Sequence, residues 1–312
     1  VLKVAFTDLV FEDREAIRLE GCAFSLHPPL RTAGEIVAAA SDADVLCMRD
    51  QFGRVTAEVF ERLPKLKLVV TRSVGYDHID LAEAKRRGIA VCNVPDYGAH
   101  MIAEHAFGLL LAVARNIVRG HSRYEREGLF SDRGLEGMEL RGKTLGVVGT
   151  GRIGLHTIRL AKGFGMEIVA HDVCESEAAA EELGFAYEPL ADVLVRGHAV
   201  SLHVSLNEAT RHLMNAERLA QMKPGAILVN TSRGAVVDTE ALIAALRSRH
   251  LGGAGLDVLE DEHGRYHDFS GLNVVVTPHL GWYTDGAVER ILAATLACIA
   301  AFQRGELVNR VA

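Results

Sequence analysis

The 312-residue chain has few cysteines, no block of like charge and no long apolar run. Each shortage excludes a class of protein. The five cysteines, Cys22, Cys47, Cys92, Cys174 and Cys298, are odd in number and widely spaced, with no C-x-x-C pair. A disulfide framework, redox motif or thiolate metal site is therefore unsupported. They read as small core residues of a cytoplasmic protein in a reducing compartment. The fourteen histidines contain no H-E-x-x-H, so no metal is expected. A net charge of −7 without a basic cluster argues against a nucleic-acid partner. The longest strongly apolar stretch, Ala106 to Ala114, is too short to cross a bilayer, and no membrane association is expected. The opening VLKVAFTDLVFED starts as a strand and turns acidic, unlike a signal peptide.

What is present is 49% hydrophobic residues, ample for two packed cores. Short apolar runs alternate with amphipathic segments through residues 1–94. Strands are expected at Leu2–Phe6, Ala23–Leu26, Val45–Met48, Leu68–Thr71 and Ile89–Asn93, with helices at Glu12–Leu19, Ala33–Ala40, Ala57–Leu63 and Leu81–Arg87. A segment apolar nearly all round, His100 to Val118, predicts one long buried helix that links domains or crosses a subunit interface. The alternation then restarts, with strands expected at Thr144–Val148, Glu167–Ala170, Ala199–Val204, Ala226–Asn230, Gly253–Asp257 and Val274–Thr277, and a last helix over Ala287–Phe302. Strands alternating with helices predict α/β architecture with two doubly wound parallel sheets. No flexible linker separates them, so a cleft between the two halves is the expected substrate site.

The segment VVGTGRIG at 147–154 carries Gly149, Gly151 and Gly154 in the G-x-G-x-x-G pattern. It follows an apolar strand, opens a helical stretch, and precedes a second strand ending at Asp172. That whole arrangement fits a bound dinucleotide: glycines for the tight turn and for close phosphate approach, a helix N-terminus for the pyrophosphate, and an acid for the ribose hydroxyls. Arg152 sits in the turn, as a phosphate contact or a solvated side chain. The Asp172 carboxylate would repel the 2′-phosphate of NADP, so NAD is the expected cofactor.

Three polar residues fall beyond the carboxyl ends of strands on this second sheet, where ligands of open α/β sheets bind. Arg233 lies in ILVNTSRG, Glu262 ends GLDVLEDE, and His279 lies in VVVTPHLG. An Arg guanidinium can fork two donors onto a carboxylate or carbonyl. An imidazolium can give a proton to oxygen as hydride arrives at carbon. A carboxylate beside the ring favours its charged form and fixes its orientation. The three residue types suit hydride transfer to a 2-oxo acid. Asp257, at its strand end, is placed to touch a nicotinamide carboxamide.

GTGRIG, KPGAILVNTSRGAVVD, GGAGLDVLEDE and VVVTPHLGWYT, with RSVGYDHIDL at 72–81 and VPDYGAHMIAEHA at 94–106, resemble the D-isomer-specific 2-hydroxyacid dehydrogenases over nearly the whole chain. The resemblance implies a Rossmann nucleotide domain, residues 98–282, inserted into a flavodoxin-like substrate domain of residues 1–97 plus 283–312. It also implies a homodimer built around the helix at 100–118. Arg233, Glu262 and His279 match the family's catalytic residues. Val74 and Gly75 match the loop whose N–H groups hold the substrate carboxylate, a plausible anion nest on physical grounds too. Arg152, Ile153, Asp172, Val204, Thr210, Thr231, Ser232 and Asp257 match cofactor contacts, whereas Ser205 stands where the family usually carries Pro. DHIDL, HLGWYTDGAVERI and Tyr97 look similar to the D-lactate dehydrogenase branch. Phe52 and Trp282 would give apolar pocket walls, although Trp282 serves equally well as a packing residue. Pyruvate/D-lactate is the first expectation for substrate. Glyoxylate or hydroxypyruvate reduction is the alternative, and Arg49 leaves room for a more anionic substrate. The C-terminal-binding corepressors share this fold and the Arg–Glu–His set, so an NADH-responsive scaffold is the expectation from a different class.

Overall fold

The computed structural model describes residues 1–9, 14–262 and 267–312. The chain packs as two units, one formed by Val1–Tyr97 with Tyr283–Ala312 and the other by Gly98–Trp282.

The first unit holds strands β1 (Leu2–Phe6), β2 (Cys22–Leu26), β3 (Val45–Met48), β4 (Leu68–Thr71) and β5 (Ala90–Cys92), with helices α1 (Ala33–Ala39), α2 (Ala57–Arg62) and α3 (Leu81–Arg87). All neighbours are parallel, in the order β2-β1-β3-β4-β5. That is the flavodoxin-like order. The two-residue strand period sorts side chains onto two cores. Ala5, Leu46, Met48 and Val69 join Ile36, Val59 and Phe60 of the helices on one face. Val4, Phe6, Val45, Cys47, Leu68 and Val70 join Leu292 and Ile299 of the chain's last helix, Asp285–Gln303, on the other. Both faces are covered, which is why β3 and β4 read as unbroken apolar runs.

The second unit opens on α4 (Ala99–Ala114) and α5 (Ile117–Glu127). Then follow β6 (Thr144–Val148), α6 (Arg152–Gly163), β7 (Glu167–His171), α7 (Glu177–Leu183), β8 (Ala186–Tyr187), α8 (Leu190–Arg196), β9 (Ala199–Leu202), α9 (Ala216–Gln221), β10 (Ile227–Asn230), α10 (Thr239–Arg247), β11 (Gly253–Leu256) and β12 (Val274–Val276). The sheet is parallel, ordered β12-β11-β10-β9-β6-β7-β8. The chain winds outward from β6 in one direction and restarts beside it at β9, a Rossmann order whose switch point lies between those two strands. Helix α4 is buried along Ala106, Phe107, Leu109, Leu110 and Val113 against this sheet. The approach is close because β11 carries glycine: a Cβ on Gly255 would lie 2.8 Å from the Leu109 Cβ, and one on Gly253 would lie 2.4 Å from Val113 Cγ1.

Three expectations are corrected. The helix His100–Val118 is broken: α4 and α5 meet at a 60° bend. Asn116 adopts a left-handed φ of 51°, its amide donates to Leu135 O and Glu136 O, and its side-chain oxygen accepts from Arg119. Asparagine tolerates that conformation better than most residues. The helix Glu12–Leu19 is replaced by a single 3₁₀ turn, Arg14–Ala16, with residues 17–19 irregular; residues 12 and 13 lie outside those described. Cys47, Cys92 and Cys298 are buried as expected, but Cys174 is exposed. The short strand β8 lies where no strand was expected. No single helix among the described residues is long and apolar enough to cross a membrane.

Candidate active site

The glycine fingerprint forms the turn from β6 into α6. Gly149 has φ +94°, and a Cβ there would sit 2.5 Å from the His203 carbonyl oxygen at the end of β9. Only glycine fits a turn pressed this closely against the neighbouring strand. Gly151 caps α6 without a side-chain hydrogen bond, and nothing lies within 4 Å of where its Cβ would be. The first-turn N–H groups of α6 therefore border open space, and an anion there meets the positive end of the helix. A Cβ on Gly154 would lie 2.0 Å from Gly149 O, so the helix packs directly on the turn. Arg152 and Ile153 begin the helix.

Asp172 follows β7 and is half-buried. Its Oδ2 accepts from Thr150 N at 2.6 Å and Thr150 Oγ1 at 3.0 Å, and its Oδ1 accepts from Cys174 N at 2.9 Å. Burial disfavours the charge, but those donors outweigh it and hold the carboxyl below its usual range. The acid thus ties the fingerprint turn to the end of β7. In the loop after β9, where Ser205 replaces the expected Pro, Thr210 Oγ1 donates to Ser205 O at 2.6 Å and accepts from Asn207 N at 2.8 Å. These bonds close a turn in that loop, with Val204 beside Gly149. Thr231 Oγ1 is buried with no partner among the described residues. These features fit NAD: an open helix N-terminus for the pyrophosphate, an acid for the ribose, and an orphaned hydroxyl on the same sheet edge.

The strand ends of β10, β11 and β12 lie side by side, with Asn230, Leu256 and Val276 in register. Arg233 comes three residues past the first, Asp257 directly after the second, and His279 three past the third. Asn230 shapes the first loop: its Oδ1 accepts from Ser232 N and Oγ, and its Nδ2 donates to Arg233 O. His279 Nδ1 lies 3.2 Å from Glu262 Oε2, with His279 half-buried and Glu262 at the surface. His279 has φ +54°, a strained region for a non-glycine residue. Its N–H donates to Asp257 O and Thr277 O at 2.8 and 3.0 Å. Asp257 is buried, and its carboxylate accepts from Leu280 N and Gly281 N at 2.8 Å each. The sequence reading aimed this carboxylate at a nicotinamide; in the structure it also grips the histidine loop. Trp282 is buried within this unit.

In the first unit, the segment Ser73–Val74–Gly75 leaves β4 with all three carbonyls tied down. Ser73 O accepts from Val94 N, Val74 O from Asn93 Nδ2 at 2.9 Å, and Gly75 O from Ser73 Oγ at 2.8 Å. Because C=O and N–H point oppositely across a trans peptide, this turns the Val74 and Gly75 N–H groups outward, and no acceptor among the described residues takes either one. Asn93 carried no warning in the sequence beyond an amide at a strand end. Arg49 is not a surface cation: it is 2% exposed, with Nε 3.5 Å from Asp8, whose other oxygen accepts from Arg72 at 2.7 Å. Tyr97 is buried, and its carbonyl accepts from Arg290.

By strand order and fingerprint the second unit is a dinucleotide-binding domain of the oxidoreductase type. The family described as "D-isomer specific 2-hydroxyacid dehydrogenase, NAD binding domain" matches residues 107–281. A glyoxylate reductase from Pyrococcus furiosus is 46% identical over 262 residues, 81% of this chain and 78% of that protein. The crystal structure of D-lactate dehydrogenase from Aquifex aeolicus, complexed with NAD and lactic acid, superposes with a TM-score of 0.86 at 32% identity, covering 97% of this chain and 96% of that one. The structure of D-2-hydroxyisocaproate dehydrogenase does so with a TM-score of 0.83 at 30% identity, over 100% of both. The chain belongs to the D-isomer-specific 2-hydroxyacid dehydrogenases. It is an NAD-dependent oxidoreductase that acts on CH–OH donors and reduces 2-oxo acids.

Proposed function

We propose that the chain reduces glyoxylate, with pyruvate as the second substrate. Glyoxylate was the alternative in the sequence reading. It moves ahead because a 46%-identical relative is a glyoxylate reductase, whereas the D-lactate dehydrogenase likeness stands at 32%. The observation that carries the reaction chemistry is the 3.2 Å His279–Glu262 pair, on a loop next to the strand ends that bear Asp257 and Arg233.

In this reading the bound dinucleotide, in its reduced form NADH, would supply the hydride. Gly149, Gly151, Arg152, Ile153 and Gly154 would hold its pyrophosphate, Asp172 its ribose, and Val204, Ser205, Thr210, Thr231, Ser232 and Asp257 the remainder. The Val74 and Gly75 N–H groups take the substrate carboxylate. Arg233 polarises the carbonyl as charge grows on its oxygen. His279 gives that oxygen a proton from Nε2, while Glu262 holds Nδ1 and fixes the ring. Tyr97 and Trp282 limit the side chain accepted. The partner is a second copy of the chain. The apolar residues supporting that call are Ile117, Val118, Tyr124, Leu129 and Phe130, all exposed, on and just after α5 rather than along the continuous helix expected from sequence.

NADH oxidation over glyoxylate, hydroxypyruvate, pyruvate and longer 2-oxo acids tests the substrate call. Glyoxylate should give the highest kcat/KM; a larger value for pyruvate would reverse the order. NADH binding without turnover on any acid would favour the scaffold reading.

A further inference from the structure

Asp257 is engaged more fully than a cofactor contact requires. Its Oδ1 accepts from Thr277 Oγ1 at 2.5 Å and Leu280 N at 2.8 Å, its Oδ2 from Gly281 N at 2.8 Å, and its backbone carbonyl from His279 N at 2.8 Å. One residue thus holds three successive N–H groups of the loop that carries His279. Those bonds maintain the left-handed backbone at His279, a strained region for a non-glycine residue. A further group reaches the same carboxylate from α4. His105 Nε2 lies 3.1 Å from Asp257 Oδ1 and 2.9 Å from Thr277 Oγ1. Burial disfavours the Asp257 charge, and the bonds from His105, Thr277 and Gly281 outweigh it. The fit is tight: a Cβ on Gly281 would lie 3.0 Å from Asp257 Oδ2 and 3.5 Å from His105 Cδ2.

Counting protons assigns the tautomer. The Thr277 hydroxyl has one hydrogen, and the 2.5 Å separation from an ionised carboxylate commits it to Asp257. His105 Nε2 then faces two oxygens that can only accept. The ring hydrogen must be on Nε2.

We propose that His105 is a positioning residue for the reduction: by donating from Nε2 to Asp257 and Thr277 it fixes the carboxylate that holds the His279 backbone. The role rests on His279 being the proton donor. His105 acts through Asp257 and Thr277. Without it, a buried carboxylate loses a charge-assisted bond, and its grip on the Leu280 and Gly281 N–H groups is no longer fixed in direction.

The test uses the NADH-bound protein. Ring nitrogen shifts of His105, assigned by their disappearance in His105→Gln, should report the Nε2–H tautomer; an Nδ1–H tautomer overturns the proposal without any appeal to activity. Single-turnover hydride transfer to glyoxylate is then compared in His105→Leu and His105→Gln. The Leu variant should be slower by about tenfold or more, equivalent to about 1.4 kcal/mol of barrier, with NADH affinity within about twofold of the parent. The Gln amide can donate from a similar position and should restore most of the rate. Parental speed in His105→Leu, equal loss in both variants, or a loss explained by weaker NADH binding would each overturn the role. Should His105→Leu fail to fold, the tautomer and the His105→Gln rate decide: a Gln variant as slow as about a tenth of the parent refutes positioning. If His279→Ala turned over like the parent while the tautomer was as expected, the assignment of His279 would have failed and the positioning role with it, leaving the hydrogen-bond network standing.

Discussion

Replacing Asp172 by Asn removes one charge from the end of β7 and should change which nucleotide the protein prefers. At an effective dielectric near 20, two unit charges about 5 Å apart interact by about 3 kcal/mol. A 2′-phosphate carries more than one negative charge, while half-exposure and salt weaken the repulsion. About 2–3 kcal/mol remains, a preference of about 30- to 150-fold against NADP. The substitution acts on NAD as well. Asp172 accepts from Thr150 and Cys174 through different oxygens, and an asparagine has only one carbonyl oxygen to offer. Losing a bond to a charged group costs about 1.5–3 kcal/mol, so NADH should bind more weakly and the urea midpoint should fall. The assay is kcat/KM for NADH and NADPH at fixed glyoxylate. The NADH:NADPH ratio should drop about thirtyfold or more. A folded Asp172→Asn protein with an unchanged ratio would refute the electrostatic argument.

Gly149→Ala places a Cβ 2.5 Å from backbone at His203 and forces an alanine to φ +94°; strain and overpacking of about 2–4 kcal/mol should lower the thermal midpoint by several degrees and weaken NADH binding, and a parental Tm would contradict the close approach. His203 gives a pH effect. Its burial pushes the imidazole down to about 4 from the ordinary 6.5, so the unfolded chain takes up this proton first as pH falls. The resulting stability is fully present above pH 6.5 and lost progressively between 6.5 and 4, with a slope of at most about 1.4 kcal/mol per pH unit. The difference between the urea midpoints of the parent and His203→Gln should be constant above pH 6.5 and shift against the parent as pH falls from 6.5 toward 4; a difference that stays constant across that range would remove His203 as the cause.

Much of this architecture was legible because parallel strands buried on both faces must be continuously apolar, and the turns between them must carry glycine. Thr144–Val148, Gly149 and Asp172 announce themselves through those demands. The strand ends were readable too, so Arg233, Glu262 and His279 could be put on one sheet edge before any coordinates. The bend at Asn116 was not readable. Helical periodicity runs through it, and the carbonyls of Leu135 and Glu136, distant in sequence, help to stabilise the left-handed turn. The burial of Arg49 was not readable for a similar reason: its partner Asp8 lies far away in the chain. His105 looked like one more residue of an apolar helix, because its partners Asp257 and Thr277 lie more than 150 residues on. The outward N–H groups of Val74 and Gly75 likewise depend on Asn93, which no local pattern singles out.

The central claim is that His279 supplies the proton. Single-turnover reduction of glyoxylate by His279→Ala, measured beside its NADH affinity, tests it most directly. The account predicts a rate lower by about a hundredfold or more with NADH binding close to the parent. A parental rate in the variant would contradict it.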